Sequence, residues 1–138
     1  MKQTSGAIIL RQDDYETLIA YLKNNRYVTS LDVQNVQDLK AELRRAMLVS
    51  KESFPEDVIR LNSKIKIKDA GKNNVTELIL VMPDEADLRQ KRISVMAPVG
   101  TALIGFRKGQ KVSWQVPAGK RTFHIVDVVN DAHTIAGS

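Results

Sequence analysis

Three carboxylates lie close together near the amino end of the chain, at Asp13, Asp14 and Glu16. Neighbouring carboxylates can supply the anionic oxygen ligands that a hard cation such as Mg²⁺ prefers. The same residues also fit the start of a helix, because Asp13 followed by Glu16 makes a capping-box pattern and acids favour the positive end of the helix dipole. We expect these residues to cap a helix and not to bind a metal.

Other residue types that carry catalysis are sparse. The chain has no cysteine, and its two histidines, His124 and His133, do not form an HExxH pair. No serine is flanked by the glycines of a nucleophile elbow, and no glycine-rich phosphate loop precedes a Gly-Lys-Ser/Thr run. The sequence therefore predicts a protein that is not an enzyme, with no catalytic residue, cofactor, metal site or small-molecule substrate.

Lysines alternate with isoleucines at Lys64, Lys66 and Lys68, which places the lysines on one face of a strand. Such a face can attract nucleic acid or an acidic protein surface, and the net charge of +5 permits either partner. It is also typical of a solvated outer face whose lysines discourage edge-to-edge pairing. We favour the solvated face, and the lack of aromatic residues between the lysines argues against a stacking platform for single strands.

The sequence indicates a docking feature at Met96, Ala97 and Pro98. The preceding residues, Ile93–Met96, have the composition of a short strand, and Pro98 suits the first position of a helix. Helical spacing of apolar residues follows until Gly105, which can turn left-handed and end the helix. A proline corner between a strand and a helix gives a rigid edge that loses little entropy on binding another protein.

Two helices must precede this region. Apolar residues at helical spacing predict a first helix from about Asp13 to Lys23 and a second from about Ser30 to Val49, joined by a connection at Asn24–Thr29. The stripe of the second helix includes Ala46 and Met47. We expect an antiparallel hairpin, and Pro55 marks its boundary with the rest of the chain. The predicted domains are residues 1–52 and 53–138.

Strands dominate the second domain. They are predicted at Lys64–Lys68, Val75–Val81, Ile93–Met96, Lys111–Val116 and Thr122–Val129. With one short helix after Pro98, this order indicates an α+β chain with segregated elements. The amino terminus lacks a signal-peptide pattern and no apolar run could span a bilayer, so we expect a cytoplasmic protein without membrane contact.

The run Ser94–Gly105 (SVMAPVGTALIG) and the later run Trp114–Gly119 (WQVPAG) resemble the carboxy-terminal domain of the GreA/GreB transcription factors. The resemblance is greatest to the Rnk (regulator of nucleoside diphosphate kinase) branch, whose elbow is also Met-Ala-Pro, and it extends over about Phe54 to Val129. Upstream, Pro83–Asp87 resembles the acidic segment that precedes this strand in the Gre proteins. The resemblance implies a small antiparallel sheet similar to FKBP, with a helical hairpin, a short coiled coil, in front of it.

In the Gre family the matching loop contacts the β′ subunit of bacterial RNA polymerase at the rim of the secondary channel. The resemblance therefore implies polymerase-binding residues at Ser94, Met96, Ala97 and Pro98, with nucleic acid met only indirectly. Family members often carry an acid and a serine just before this proline, where this chain has Met96 and Ala97, so contact must depend more on packing than on charge.

Gre factors promote transcript cleavage with acids at the tip of a long coiled coil. Here the tip, Asn24–Ser30, contains no acid, Asp32 stands alone nearby, and the helices are short. We expect a regulator that competes for the channel without cleaving transcripts. The alternatives are a cleavage factor, a module that binds nucleic acid through the basic strand, and an FKBP-like prolyl isomerase with Trp114 as its pocket floor; packing of Trp114 on the sheet is the simpler interpretation.

Overall fold

The structure of the protein is a computed structural model that describes residues 8–24, 30–116 and 119–130, with the side chains of residues 24, 30–32, 35 and 114–116 left outside the description. It combines helices and β-strands. In chain order, β1 is Ile9–Arg11, α1 is Gln12–Asn24, α2 is Ser30–Arg45 and β2 is Met47–Val49. The predicted tip of the helical hairpin lies largely outside the described residues.

The first helix agrees with the prediction to within one residue at each end, whereas α2 ends four residues early, at Arg45. The sequence predicts Met47 on its apolar stripe, but Met47 lies in β2 and is 58% exposed. The reason is a non-local pairing: β2 runs parallel to β1, and the Met47 amide donates to the Ile8 carbonyl at 2.9 Å. Backbone hydrogen bonds to a distant strand replace the last helical turn.

The remaining strands form one five-stranded sheet. They are β3 (Lys64–Asp69), β4 (Val75–Val81), β5 (Arg92–Ser94), β6 (Lys111–Val116) and β7 (Gly119–Val129), in the spatial order β5-β4-β3-β7-β6. The helix α3 (Pro98–Leu103) lies between β5 and β6 in the chain. Three of these strands match the predicted ones closely, while β5 begins one residue earlier than predicted and ends two residues earlier, at Ser94, and β7 begins earlier, at Gly119.

The prediction of an antiparallel sheet is wrong at one edge. β5 pairs with β4 in parallel, with Ile79 opposite Arg92 and Val81 opposite Ser94, so the sheet is mixed. Between them the chain makes two short 3-10 turns, at Pro83–Glu85 and Leu88–Gln90, that return it alongside Ile79 in the second half of β4. A crossover without a tight hairpin permits parallel pairing, and nothing in the local alternation of apolar residues specifies it.

One hydrophobic core includes residues from both predicted domains. It joins residues of the two long helices (Leu18, Leu22, Val36, Leu39 and Leu43) to the inner face of the sheet and to α3. At its centre, Ile65, Leu80, Leu103, Phe106 and Ile125 are almost fully buried. Within the described ranges, no helix combines the length and the hydropathy needed to cross a lipid bilayer.

The amino-terminal strand is held by the segment that follows α3. The Ile9 amide donates to the carbonyl of Gly105 at 3.1 Å, and the Gly105 amide donates to Ile59 at 3.0 Å. Gly105 has φ +85°, as predicted for the residue that ends α3. A Cβ there would lie 2.5 Å from that of Ile8, so this position requires glycine both for its backbone conformation and for space.

The acidic group near the amino end forms ion pairs. Helix α1 begins at Gln12, so Asp13 lies inside the first turn and is not the predicted N-cap. Its carboxylate binds Arg11 at 2.7 and 2.8 Å, and this hydrogen bonding lowers the pKa of Asp13. Asp14 is buried and accepts two hydrogen bonds from Arg60, at 2.8 and 2.9 Å. These two carboxylates therefore anchor α1, one of them to the second predicted domain.

Candidate partner-binding site

The elbow between β5 and α3 is shaped by its own hydrogen bonds. The Val95 amide continues the pairing with β4 by donating to the Val81 carbonyl at 2.9 Å, and Val95 is fully buried. Ser94 then accepts twice: its Oγ from the Met96 amide at 2.9 Å, and its carbonyl from the Ala97 amide at 3.0 Å. Ser94 is half-buried, and these two hydrogen bonds shape the turn that presents the next residues.

Helix α3 begins as the sequence predicts. Pro98 occupies its first turn, and the preceding Ala97 is extended, with φ −70° and ψ 150° and no side-chain cap. The missing N–H of proline costs nothing at this position. Pro98 is exposed, whereas Met96 and Ala97 are half-buried and Met96 packs against the core. The elbow therefore offers a proline ring flanked by partly covered apolar side chains.

Helix α3 packs closely against the end of β5 at the elbow. The Thr101 hydroxyl, in a buried side chain, donates to the Val95 carbonyl at 2.7 Å. Gly100 lies against the strand: a Cβ on it would overlap the Ser94 carbonyl oxygen and lie 3.0 Å from the Val95 Cα. These contacts leave the elbow little freedom to change its conformation, which favours a preformed docking surface.

Replacing Thr101 with valine should test the contribution of its hydrogen bond to the Val95 carbonyl. We expect the free energy of unfolding to fall by about 1–3 kcal/mol, because the Val95 carbonyl would lose a buried hydrogen-bond donor. Urea denaturation followed by circular dichroism measures the change. The same substitution at Thr17, whose hydroxyl donates to the Asp13 carbonyl in an exposed setting, is the control, with an expected change within about 0.5 kcal/mol. Equal losses of stability in the two variants would contradict a stabilising role for the buried hydrogen bond of Thr101.

Two exposed carboxylates, Asp84 and Glu85, lie beside the elbow, in the turn that follows the neighbouring strand β4. Because β4 and β5 are parallel, with Val81 opposite Ser94, the turn Pro83–Glu85 leaves β4 at the same edge of the sheet where the elbow leaves β5. The turn contacts β5, and its Asp84 and Glu85 are exposed. We call Asp84, Glu85, Met96, Ala97 and Pro98 the elbow surface.

The association of the acidic turn with the elbow does not follow from the sequence. The sequence shows the acidic segment, but the resemblance implies an antiparallel sheet, and parallel pairing is what places the turn beside the elbow. Asp87, in the same segment, has a structural role. Its carboxylate accepts hydrogen bonds from the Arg89 amide and the Gln90 side chain and so shapes the second turn.

Other candidate residues lie elsewhere. Lys64, Lys66 and Lys68 point to the outer face of β3, and His124 lies on β7 beside Lys68. His133 and the greater part of the predicted hairpin tip fall outside the described residues, as do the side chains of Asp32 and Trp114. Among the described residues, no group of three or more acidic or histidine side chains is arranged to hold a metal ion.

Comparison with known proteins agrees with this architecture. Residues 54–130 match the family model described as transcription elongation factor, GreA/GreB, carboxy-terminal. A regulator of nucleoside diphosphate kinase from Escherichia coli (strain K12) is 36% identical over 115 residues, covering 83% of this chain and 82% of the relative. A transcription elongation factor GreA from Thermodesulfovibrio yellowstonii is 32% identical over 93 residues, covering 67% of this chain and 59% of that protein.

Among solved structures, a prokaryotic transcription elongation factor GreA/GreB from Nitrosomonas europaea superposes with a TM-score of 0.74 at 31% identity, covering 91% of this chain and 100% of that one. The family match includes the elbow surface, the acidic turn and all five strands of the sheet. The sequence resemblance is thereby confirmed: the chain belongs to the GreA/GreB family of transcription elongation factors.

Proposed function

We propose that the protein is a bacterial transcription regulator that binds RNA polymerase through the elbow surface. The observation that carries this proposal is the exposed proline corner with Asp84 and Glu85 beside it, at the edge where two parallel strands end. An apolar corner next to two exposed carboxylates is complementary to a protein surface that combines apolar and basic side chains. Polymerase is the partner that the family resemblance implies, at the β′ subunit on the rim of the secondary channel.

The two parts of the chain have different roles in this complex. Residues 53–138, which we take to be FKBP-like in form, dock on the rim, and residues 1–52, which we take to be a short helical coiled coil, project toward the channel. Bound in this way, the protein excludes other channel-binding factors from the same rim. It acts in the cytoplasm, where polymerase is, and meets nucleic acid at this site only through polymerase.

We further propose that it does not cleave transcripts. Cleavage by Gre factors depends on acids at the tip of a long arm, and the sequence has none between Asn24 and Ser30. The 13 residues of α1 and the 16 of α2 span only about 20 and 24 Å. Release of a short 3′ fragment from a backtracked elongation complex on addition of the purified protein would contradict this part of the proposal.

Binding is tested with a single substitution. Pro98→Asp places a charge on the exposed corner, and the variant should fold, because a carboxylate is favourable in the first turn of a helix. We expect the affinity for purified core polymerase to fall at least about tenfold, measured by biolayer interferometry, since one buried charge without a partner costs more than 1.4 kcal/mol.

The matched control is Val75→Asp, which also replaces an exposed apolar residue, 50% exposed, at the far end of β4. It should bind polymerase as the unmodified protein does. If both variants bind like the unmodified protein, the elbow is not the contact, and if the unmodified protein does not bind polymerase at all, the proposed function is wrong.

A further inference from the structure

The five-stranded sheet has one buried face and one open face. Along β3, Ile65 and Ile67 point into the core, while Lys64 and Lys66 are exposed on the other side. The strand register extends this outer face across the neighbouring strands. It carries Lys64, Lys66, Lys68, Lys111, Lys120 and His124, against the acids Glu77 and Asp127. Along the described strands, the outer face of the sheet is therefore predominantly basic.

The cations on this face are not distributed evenly. Lys66 lies opposite Glu77 on β4 and opposite Asp127 on β7, so charges alternate across that row. The row of Lys68 is different: it lies opposite His124 on β7, which in turn lies opposite Lys111 on β6. The fourth member of the row, on β4, is the apolar Val75. We call Lys68, His124 and Lys111 the basic row.

The basic row holds its two lysines on either side of His124, without an acid among them. Lys66 differs, because a carboxylate lies opposite it on each neighbouring strand, an arrangement that stabilises a sheet. In the described part of the chain, neither Lys68 nor Lys111 forms an ion pair, although Lys108 pairs with Asp127 and Arg121 with Asp69 close by. A polyanion that binds across the row would supply the negative charge that these two lysines lack.

The side chains of the row indicate which polyanion fits. Lysine is a strongly hydrated point charge on a flexible stem, and lysine is depleted at protein–protein interfaces, where arginine is enriched. Apart from the imidazole of His124, the described positions of the outer face carry no aromatic side chain on which an unpaired base could stack. Duplex DNA presents a dense and regular series of backbone phosphates, about one charge per 1.7 Å of axis, and does not require stacking.

We propose that the basic row binds the phosphate backbone of double-stranded DNA without recognising base sequence. The site lies apart from the elbow surface: the elbow extends from the end of β4 and β5 that lies level with Lys64, and Lys68 is about 13 Å farther along β3 at a rise of about 3.3 Å per residue. The proposal goes beyond polymerase binding and departs from the expectation that this protein meets nucleic acid only indirectly. It is tested without polymerase.

The experiment measures the fluorescence anisotropy of a labelled 20-base-pair duplex of random sequence, titrated with the purified full-length chain at several salt concentrations. For Lys68→Gln/Lys111→Gln we expect affinity at about 50 mM salt to fall roughly 100-fold, since each released counterion is worth about a factor of ten there. The slope of log affinity against log salt should decrease by about two, one for each lysine.

The charge-matched control is Lys66→Gln/Lys51→Gln, in which Lys66 has acids on both sides and Lys51 lies in a short 3-10 turn outside the sheet. It should bind at least about tenfold more tightly than the first double variant. Equal losses in the two double variants would overturn the proposal, because binding would then follow net charge alone. Absence of binding by the unmodified chain at low salt, or tighter binding of a labelled single-stranded oligonucleotide of the same length, would also overturn it.

Thermal unfolding of the single variants gives a second and independent readout. Lys68→Gln should leave the midpoint nearly unchanged, because no acid lies opposite Lys68 on either neighbouring strand. Lys66→Gln should lower the midpoint slightly, because it removes a cation that has a carboxylate opposite it on each neighbouring strand. The opposite order of midpoints would show that Lys68, and not Lys66, is balanced by nearby acids, and it would contradict the inference.

Discussion

Gly100→Ala should lower the free energy of unfolding by about 3 kcal/mol or more, at the upper end of what an added methyl group costs in a packed interior. Gly100 lies in α3 directly against the end of β5, where an added Cβ would overlap the carbonyl oxygen of Ser94. This neighbour is backbone, already engaged by the Ala97 amide, so it cannot move aside as the end of a flexible side chain would. The overlap can be removed only if α3 shifts away from β5.

Equilibrium denaturation with urea measures this loss, and polymerase binding by the same variant measures what the shift does to the elbow. Gly71→Ala is the control, because the nearest heavy atom to its added Cβ is the Asp69 side-chain oxygen at 3.8 Å, an ordinary contact. Its stability should change by no more than about 0.5 kcal/mol. A Gly100→Ala variant as stable as the Gly71→Ala variant would mean that the close packing of α3 on β5 is incorrect.

The second large effect is expected at Asp14. Its side chain is 6% exposed and that of its partner Arg60 is 16% exposed, with two hydrogen bonds between them. Burial raises the pKa of Asp14, and the Arg60 guanidinium opposes this by stabilising the ionised form. Asp14→Ala would leave the guanidinium buried without its anion, and we expect the free energy of unfolding to fall by about 3–5 kcal/mol.

A more exposed pair provides the control. Asp57, whose side chain is 47% exposed, also binds an arginine, Arg107, which is 43% exposed, yet Asp57→Ala should cost no more than about 1 kcal/mol because water reaches both charges. A double variant, Asp14→Leu/Arg60→Met, should recover most of the stability, since apolar residues avoid the cost of burying two charges. Urea denaturation compares all four proteins, and equal losses for the two single variants would contradict the burial of the Asp14 pair.

Local patterns predicted the elements that depend on local physics. The alternation from Lys64 onward and the apolar run at Val75–Val81 gave two central strands, and Pro98 with Gly105 gave both ends of α3. Each of these signals acts within a few residues. The end of α2 was predicted wrongly because helical periodicity continues to Met47. The backbone at Met47 instead pairs with β1, which precedes α1 in the chain.

The elbow could be located from sequence, but the full extent of the candidate site could not. Asp84 and Glu85 join it through the parallel pairing of β4 and β5, and a pairing direction is a property of the assembled sheet. The same limit applies to the basic row. Sequence alternation placed Lys64, Lys66 and Lys68 together as equivalent residues, and only the cross-strand register separates Lys66, between two acids, from Lys68, beside His124.

The attachment of β1 to Gly105 has a consequence for the order in which the molecule folds. The contact between Ile9 and Gly105 and the pair between Asp14 and Arg60 join residues far apart in the chain, whereas β6 and β7 are adjacent. Closing a long loop costs more entropy than closing a short one, so contacts of this kind form late unless other structure has already brought their ends together. The carboxy-terminal strands should therefore assemble first, and the amino-terminal strand completes the core as its final component.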